Sequence, residues 1–254
     1  PGWGRGFYEP KWTSVHYSLL ELRDLAAAQD HPDCVAEVAA AVERHKGDDG
    51  GINPTGSVKA SDVCVNGMFL AFGCHFSAEE AGLRSIIDFV LGQRLDDGGF
   101  NCRANRSGAR VSSVHSTTSV IDGLSEYLGR GYTYRAREVR EAIDTATAVL
   151  LARHLYQRRS TGEPIRAEFT RLHHPARWHF DVLRGLDVLR SAGAAYDDRL
   201  DAAVGLIRRR RRPDGRWSAA AQYPGHVHVA YPRAGEPNRW VTLRALRVLA
   251  WAAS

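Results

Sequence analysis

The chain has 254 residues, 44% of them hydrophobic, which is enough for one sizeable core or two small ones, and we predict one domain. No apolar run reaches the roughly 18 residues of a membrane-spanning helix, and no signal-peptide pattern follows Pro1. The formal net charge of +5 does not predict nucleic-acid binding, because the arginine run 208–212 closes a predicted amphipathic helix, where cations complement the helix dipole.

The cysteines indicate a cellular compartment. There are four of them, at Cys34, Cys64, Cys74 and Cys102, without a CxxC pair and without the dense spacing of a disulfide scaffold. This usage favours a reducing compartment, so we predict a cytoplasmic protein.

Apolar residues recur with helical spacing along most of the chain, and alternation with period two is confined to short pieces, so the sequence predicts an all-α fold. Start and stop signals such as Pro32 and Gly47 bound individual helices. Nine helices are predicted, over 12–28, 32–45, 62–73, 78–95, 114–127, 134–157, 177–190, 197–211 and 239–251.

The helices pair into hairpins with a period of about fifty residues. The turns between hairpins couple Asp-Gly to an apolar residue, which is Ile52, Phe100 or Trp217. Such a tight turn would tuck its apolar residue between neighbouring helices and hold adjacent hairpins together. The helix pattern alone allows either an open solenoid or a closed α/α toroid.

Residues at the starts of alternate helices share one register. Cys64 and His115 hold the same place in successive units, and the same place is predicted for His16, His179 and Arg239. A ring of soft or basic side chains at the starts of these alternate helices indicates a binding or catalytic site.

Two of the turns resemble a motif of a known superfamily. The turns at 93–100 and 211–217 are similar to the repeated Gln-x-x-Asp-Gly-x-Trp turn of terpenoid cyclases and prenyltransferases, whose chains carry prenyltransferase and squalene-oxidase-type repeats. The recurrence covers most of the chain and implies one α/α toroid over residues 1–254, with about five helical-hairpin repeats. Residues 2–6 look like the end of a turn with no helix before it, so we expect the toroid to lack one N-terminal helix.

A sharper resemblance is to the β subunit of protein prenyltransferases. That family holds zinc through Asp-x-Cys at one inner helix start and through a His one repeat later, and Asp62, Cys64 and His115 follow the same order. The resemblance implies one zinc ion on these residues, with His16 and His179 as candidates for a fourth ligand, and all five are ligand types that zinc accepts. Taken without the family, Cys64 would be a small buried hydrophobe and His115 a hydrogen-bonded core residue.

Basic and aromatic residues near this ring form the predicted substrate site. In the same family a Gly-Gly-Phe turn is followed by basic residues that grip a diphosphate, and the chain repeats this order after residues 98–100. The alternatives are a solvated rim of salt bridges and ordinary core packing. The predicted substrate-binding residues are Arg103, Arg106, Arg110, Arg177, Arg239, Trp12, Trp178 and Trp240.

Together these features predict a zinc-dependent isoprenoid- or lipid-processing enzyme with an apolar, anionic substrate of the diphosphate type, and they leave a protein partner open. The acidic Asp-x-Asp-Asp motif of the squalene-type cyclases is absent, so that reaction is not predicted. One alternative is a non-catalytic toroid that binds a lipid or a protein. A further alternative is a glycosidase or lyase, for which Asp62, Glu168 and Asp181 are the candidate carboxylates.

Overall fold

The computed structural model describes Trp3 and residues 6–54 and 59–254. Its regular structure is helical apart from three isolated β-bridges between described residues, which confirms the all-α prediction. Each described helix is too short or too polar to cross a membrane. Of the turn predicted at residues 2–6, residues 2, 4 and 5 lie outside the described part of the chain. The α-helices are α1 (Val15–Asp24), α2 (Pro32–Arg44), α3 (Val63–His75), α4 (Glu80–Gly92), α5 (Ala104–Ser107), α6 (Val114–Gly129), α7 (Ala136–Leu151), α8 (Val182–Ser191), α9 (Asp201–Arg209) and α10 (Arg239–Trp251).

Contacts divide the chain into two compact units. Unit 1 comprises Pro1–Ala146 with Gly225–His228, and unit 2 comprises Thr147–Pro224 with Val229–Ser254. The single domain and its closure into a toroid stay predictions.

The centre of unit 1 is α3, which packs against α1, α4 and α6. Every residue of α3 except Cys64 is buried, so this helix has no solvent face. Its closest neighbour is α6, because the helices cross where Gly67 offers no side chain; a Cβ there would lie 2.5 Å from the Ser119 carbonyl oxygen. The close crossing brings the N-terminal ends of α3 and α6 together.

Unit 2 is built on α8, α9 and α10, which all pack against one another. α8 begins at Val182, five residues later than predicted, because Arg177 adopts φ 57° and Asp181 forms the N-cap. Trp217 is fully buried and donates its Nε1–H to the Ile207 carbonyl over 2.8 Å. On α10 the buried side chains are few, and Leu243 and Leu246 are exposed.

Three Asp-Gly turns share one backbone pattern. In each, a glycine with positive φ donates to the carbonyl three residues earlier, over 3.0 Å at Gly50, 2.8 Å at Gly98 and 2.9 Å at Gly215. The preceding carboxylate, such as Asp49 or Asp97, accepts from the backbone N–H two residues later. Positive φ is a conformation that glycine adopts without steric cost, which explains the Asp-Gly signature.

Each turn is clasped by a polar side chain from the first turns of a later helix, which is α3, α6 or α10. Asn66 accepts from the Ile52 N–H over 2.7 Å, Thr117 from the Phe100 N–H over 3.1 Å, and Thr242 from the Trp217 N–H over 3.0 Å. Ile52, Phe100 and Trp217 are fully buried. These contacts confirm that the turns staple their apolar residue to the following hairpin. We call the three arrangements the turn clasps.

Candidate functional site

The turn clasps define the register of the helix starts. Asn66, Thr117 and Thr242 each lie four residues after an N-cap, at Asp62, Ser113 and Asn238. Cys64 and His115 are therefore equivalent positions, as predicted. In the last helix the equivalent position is Trp240, so the placement of Arg239 in this register was wrong by one residue.

The predicted site residues fall into two groups. Unit 1 holds Trp12, His16, Asp62, Cys64, Arg103, Arg106, Arg110 and His115, and unit 2 holds Arg177, Trp178, His179, Arg239 and Trp240.

Asp62 at the start of α3 is engaged by an arginine. Although Asp62 is the N-cap, its carboxylate makes no capping bond; it accepts from Nε of Arg106 over 3.1 Å and also from Nη2 of Arg106. Burial raises the pKa of Asp62, and the charges of Arg106 and Lys11 oppose this rise. Asn105 adds a hydrogen bond to the Ser61 carbonyl over 3.2 Å, so α5 is tied to the start of α3. Of the predicted diphosphate-binding arginines, Arg103, Arg106 and Arg110 all lie exposed in this segment.

Cys64 forms a disulfide with Cys102. The Cys64 N–H donates to the Cys102 Sγ over 3.2 Å, and the Ser116 hydroxyl donates to the same sulfur over 3.3 Å. Cys102 therefore lies between the first turns of α3 and α6. Sequence reasoning missed this pairing because the spacing of the four cysteines did not indicate a disulfide.

Two of the predicted zinc ligands, Asp62 and Cys64, already have other partners. A cysteine binds zinc as a thiolate, but the Cys64 sulfur is bonded to another sulfur, and the Asp62 carboxylate is paired with Arg106. Within residues 6–54 and 59–254, no three His, Cys, Asp or Glu side chains are grouped so that they could hold a metal ion. The residues as arranged do not fit a zinc site, so zinc stays a prediction, and we derive no chemistry through it.

His16, one of the two candidates for a fourth ligand, lies in an aromatic cage. Its ring is fully buried and contacts Phe7, Tyr8, Tyr17 and Phe72 edge-on, with centroid distances of 5.1 to 5.7 Å. Neither ring nitrogen has a hydrogen-bond partner among the described residues. Burial lowers the pKa of His16 to about 3, with a further contribution from Lys11. His16 is therefore a neutral core residue.

In unit 2 the loop before α8 carries a dense polar cluster organised by Asp181. One carboxylate oxygen of Asp181 caps α8 by accepting the Arg184 N–H over 2.9 Å, and the other accepts the His173 N–H over 2.8 Å. The second oxygen also lies 3.4 Å from the His173 Nδ1. Asp181 is almost fully buried. Its two hydrogen bonds hold the loop against the start of α8.

Four rings form a column beside this loop. His179 lies between Trp178 and Tyr223, with centroid distances of 3.7 Å and 3.5 Å, and Tyr223 stacks on His173 at 4.8 Å. Burial raises the pKa of Tyr223, and the Asp181 charge adds to the rise. The stacking places His179, the other candidate for a fourth ligand, among aromatic rings.

His174 and Arg177 form the buried centre of the same loop. The His174 ring lies flat on Trp240 at 5.0 Å and edge-on to Tyr231 at 4.9 Å, and neither ring nitrogen has a hydrogen-bond partner among the described residues. Burial, followed by the charges of Arg244 and Arg177, lowers the pKa of His174 to about 3. Arg177 is only 6% exposed and adopts φ 57°, a region that residues with a Cβ rarely occupy.

Sequence reasoning found part of this cluster. It singled out Arg177, Trp178, His179 and Trp240 but missed several partners, which are His173, His174, Arg184, Tyr223, Tyr231 and Arg244. The concentration of His, Arg and Trp in residues 173–181 was a signal that could have pointed to His173 and His174. The tyrosines come from the irregular segment before α10, which carries no periodic pattern.

Comparisons with known proteins do not assign a family. No protein-family model matches the chain, and no curated protein matches it. The chain is similar to a solved structure of the apo type II terpene cyclase MstE from Scytonema, with 14% identity, a TM-score of 0.38, and coverage of 96% of this chain and 90% of that one. It is also similar to a protein from Actinoplanes, with 16% identity, a TM-score of 0.36, and coverage of 94% and 90%. Likenesses this distant leave function to be argued from the residues.

Proposed function

We propose that the protein is an enzyme of isoprenoid or lipid metabolism that binds an apolar substrate with an anionic group, and that unit 2 holds the anionic group beside Arg177. The observation that carries the proposal is the burial of Arg177 in a strained backbone conformation next to an imidazole without hydrogen bonds. Strained backbone persists where the surrounding structure enforces it, and such positions cluster at ligand sites.

Arg177 lies in a cluster of charged side chains. The charges of Arg177 and Arg244 both act on His174. The Asp181 carboxylate is engaged by two backbone N–H groups, and Asp187 is paired with Arg190 and Arg244. Guanidinium groups bind phosphate or carboxylate through paired hydrogen bonds, so this cluster suits a diphosphate. In its neutral form His174 can donate one further hydrogen bond to such a group.

The aromatic residues of unit 2 supply the apolar side of the proposal. Trp240 and Tyr231 pack around His174, and Arg239 lies over the Trp240 ring at 4.7 Å from its centroid. Trp178 and Trp240 are both half-buried, which leaves part of each ring for contact with a hydrocarbon chain. The sequence resemblance to terpenoid cyclases and prenyltransferases is the reason for choosing an isoprenoid.

The glycosidase or lyase alternative receives less support. That chemistry needs two carboxylates placed on either side of the reacting bond. Asp181 caps α8 and accepts the His173 N–H, so both of its carboxylate oxygens already bind backbone N–H groups.

Diphosphate release from a panel of prenyl diphosphates of increasing chain length tests the proposal. The informative variant is Arg177→Asn, because asparagine tolerates positive φ and the substitution removes only the charged side chain. We expect the variant to remain folded and to lose binding of inorganic diphosphate, measured by calorimetry, together with turnover.

The matched control is Arg135→Asn. Arg135 also has positive φ, 53°, but lies on the surface of unit 1, where it pairs with Asp88. Retained diphosphate binding in Arg177→Asn would contradict the placement of the anion. Binding without turnover on every prenyl diphosphate would favour the non-catalytic lipid-binding alternative.

Zinc is tested separately on the reduced chain. Elemental analysis after reduction and incubation with zinc, compared with Cys64→Ser, shows whether the opened pair takes up metal. Less than about a tenth of an equivalent in the reduced chain would end the zinc prediction.

A further inference from the structure

We propose that Cys64 and Cys102 form a redox-active thiol–disulfide couple that exchanges with low-molecular-weight thiols and disulfides of the glutathione type, with Cys102 as the attacking thiolate. The proposal concerns unit 1 and is independent of the anion site proposed for unit 2.

The first support is the environment of the Cys102 sulfur. Two donors point at it, the Cys64 N–H at 3.2 Å and the Ser116 hydroxyl at 3.3 Å. When the disulfide opens, both donors can stabilise negative charge on Cys102, and hydrogen bonds to the thiolate lower the pKa of a thiol. The first turn of α3 contributes the positive end of a helix of 13 residues.

The second support is a contrast with the remaining cysteines. Cys64 and Cys102 are both half-buried, so a small reagent can reach them. Cys34 and Cys74 are buried and unpaired, and burial raises the pKa of both thiols. The chain therefore separates two inert thiols from one accessible pair.

The third support is that the bond joins segments that stay together without it. α5, just after Cys102, is also tied to the start of α3 by the Arg106 ion pair with Asp62 and by the Asn105 hydrogen bond to Ser61. The Cys102 N–H donates to the Ser116 hydroxyl oxygen over 3.1 Å. Opening the bond therefore leaves both sulfurs close enough to pair again.

The exchange balances in both directions. For oxidation, the Cys102 thiolate attacks one sulfur of a small disulfide and releases one thiolate, which leaves a mixed disulfide on Cys102. The Cys64 thiolate then attacks the Cys102 sulfur, forms the protein disulfide and releases the second small thiolate. The protein loses two electrons and two protons, and the small disulfide becomes two thiols; reduction by two small thiols is the reverse.

The test uses the whole native chain in glutathione buffers of graded ratio. Acid quenching followed by alkylation in denaturant counts the free thiols, and mass spectrometry locates them. We expect the count to change reversibly between two and four while Cys34 and Cys74 remain thiols throughout. A count that changes only after the chain is unfolded would overturn the proposal, because the bond would then be purely structural.

The role of Cys102 is tested by alkylating the reduced native chain at several pH values. Cys102 should react faster than Cys64. The pH at which its rate is half-maximal should lie below about 8.5, the value expected for an ordinary thiol. Ser116→Ala should slow the Cys102 reaction at neutral pH about threefold to tenfold and shift its profile upward.

The control is Ser113→Ala, at the same end of α6, where the serine side chain makes no capping hydrogen bond. This variant should leave the alkylation profile unchanged. An ordinary thiol profile for Cys102 in the wild type, or equal slowing by both variants, would overturn its assignment as the attacking thiolate.

Discussion

Gly67 and Gly123 lie face to face where α3 and α6 cross. A Cβ placed on Gly123 would overlap the Gly67 carbonyl oxygen, and a Cβ on Gly67 would lie 2.5 Å from the carbonyl oxygen of Ser119. The obstacle in both cases is backbone, which a rotamer change cannot relieve. The two helices can approach this closely only if both positions are glycine, and the approach sets the separation of Cys64 from the segment that carries Cys102.

We expect Gly123→Ala to destabilise the protein by about 1–3 kcal/mol, because the helices must separate to admit the methyl group. Gly129→Ala on the same helix is the control, since a Cβ there has no neighbour within 4 Å. The control should be neutral or more stable by up to about 1 kcal/mol, because alanine favours the helix. Urea unfolding measures both, and equal stability of the two variants would contradict the close crossing.

The turn clasp at Phe100 predicts opposite effects for two adjacent threonines. The Thr117 hydroxyl accepts from the Phe100 N–H and donates to its carbonyl over 3.2 Å. Thr117→Val leaves the buried Phe100 N–H unpaired, while the carbonyl keeps the Ser113 N–H at 2.9 Å, and should cost about 1–3 kcal/mol. The Thr118 hydroxyl is buried without a partner among the described residues. Thr118→Val should therefore be neutral or stabilising in thermal denaturation. A larger loss at Thr118 than at Thr117 would refute the clasp.

A partly buried ion network predicts acid sensitivity. Burial raises the pKa of Glu126, but His75, whose Nδ1 lies 3.8 Å away, the charge of Arg23 and the hydrogen bond from Arg130 lower it from 4.5 to about 2. Arg23 Nη2 lies 3.0 Å from the Glu126 carboxylate, and Arg130 Nε lies 2.7 Å from it.

Because the pKa of Glu126 is lower in the folded state than in the unfolded state, its stabilisation is present above pH 4.5 and is lost as the pH falls through 2. Because solvent screens this partly exposed group, the contribution is about 1–2 kcal/mol. Urea titrations between pH 7 and pH 2 should show this loss in the wild type and a flatter profile in Glu126→Gln. Glu141→Gln, at an exposed surface pair with Arg94, should retain the wild-type profile.

His16→Phe should stabilise the protein. Phenylalanine keeps an aromatic ring in the cage and removes two buried nitrogens without partners, a gain of about 1–3 kcal/mol at neutral pH. The pKa of His16 falls from 6.5 to about 3 on folding, so the unfolded chain takes up the proton first and wild-type stability declines as the pH drops from 6.5 toward 3.

Thermal denaturation at pH 7 and pH 5 measures the His16 effect. The advantage of His16→Phe over the wild type should grow at the lower pH. The exposed His31→Phe serves as the control and should show no such growth. Destabilisation by His16→Phe at pH 7 would mean that the ring nitrogens are bonded.

The periodic parts of the fold were predictable. α10 begins and ends at Arg239 and Trp251 as predicted, and the Asp-Gly turns form where the sequence repeats itself. The predicted helix 134–157 ends early, at Leu151, because His154 and Leu155 adopt positive φ, which helical spacing does not reveal.

The candidate sites depend on contacts that the sequence does not encode locally. Cys64 and Cys102 are 38 residues apart, and their pairing follows from the crossing of α3 and α6. His174 meets Trp240 across a loop and a helix end whose conformation depends on the side-chain hydrogen bonds of Asp181 and Asn238. Spacing located these residues along the chain but could not predict their partners.

The turn clasps also bear on how the chain reaches its native state. Their partners are separated by only 14, 17 and 25 residues, so each clasp closes a short loop. Short loops cost little chain entropy, and chains with such local contacts fold quickly. Each clasp can therefore form from one turn and the helix that follows it. Folding nuclei are available at several points along the chain, and a kinetic study should find Ile52, Phe100 and Trp217 structured early.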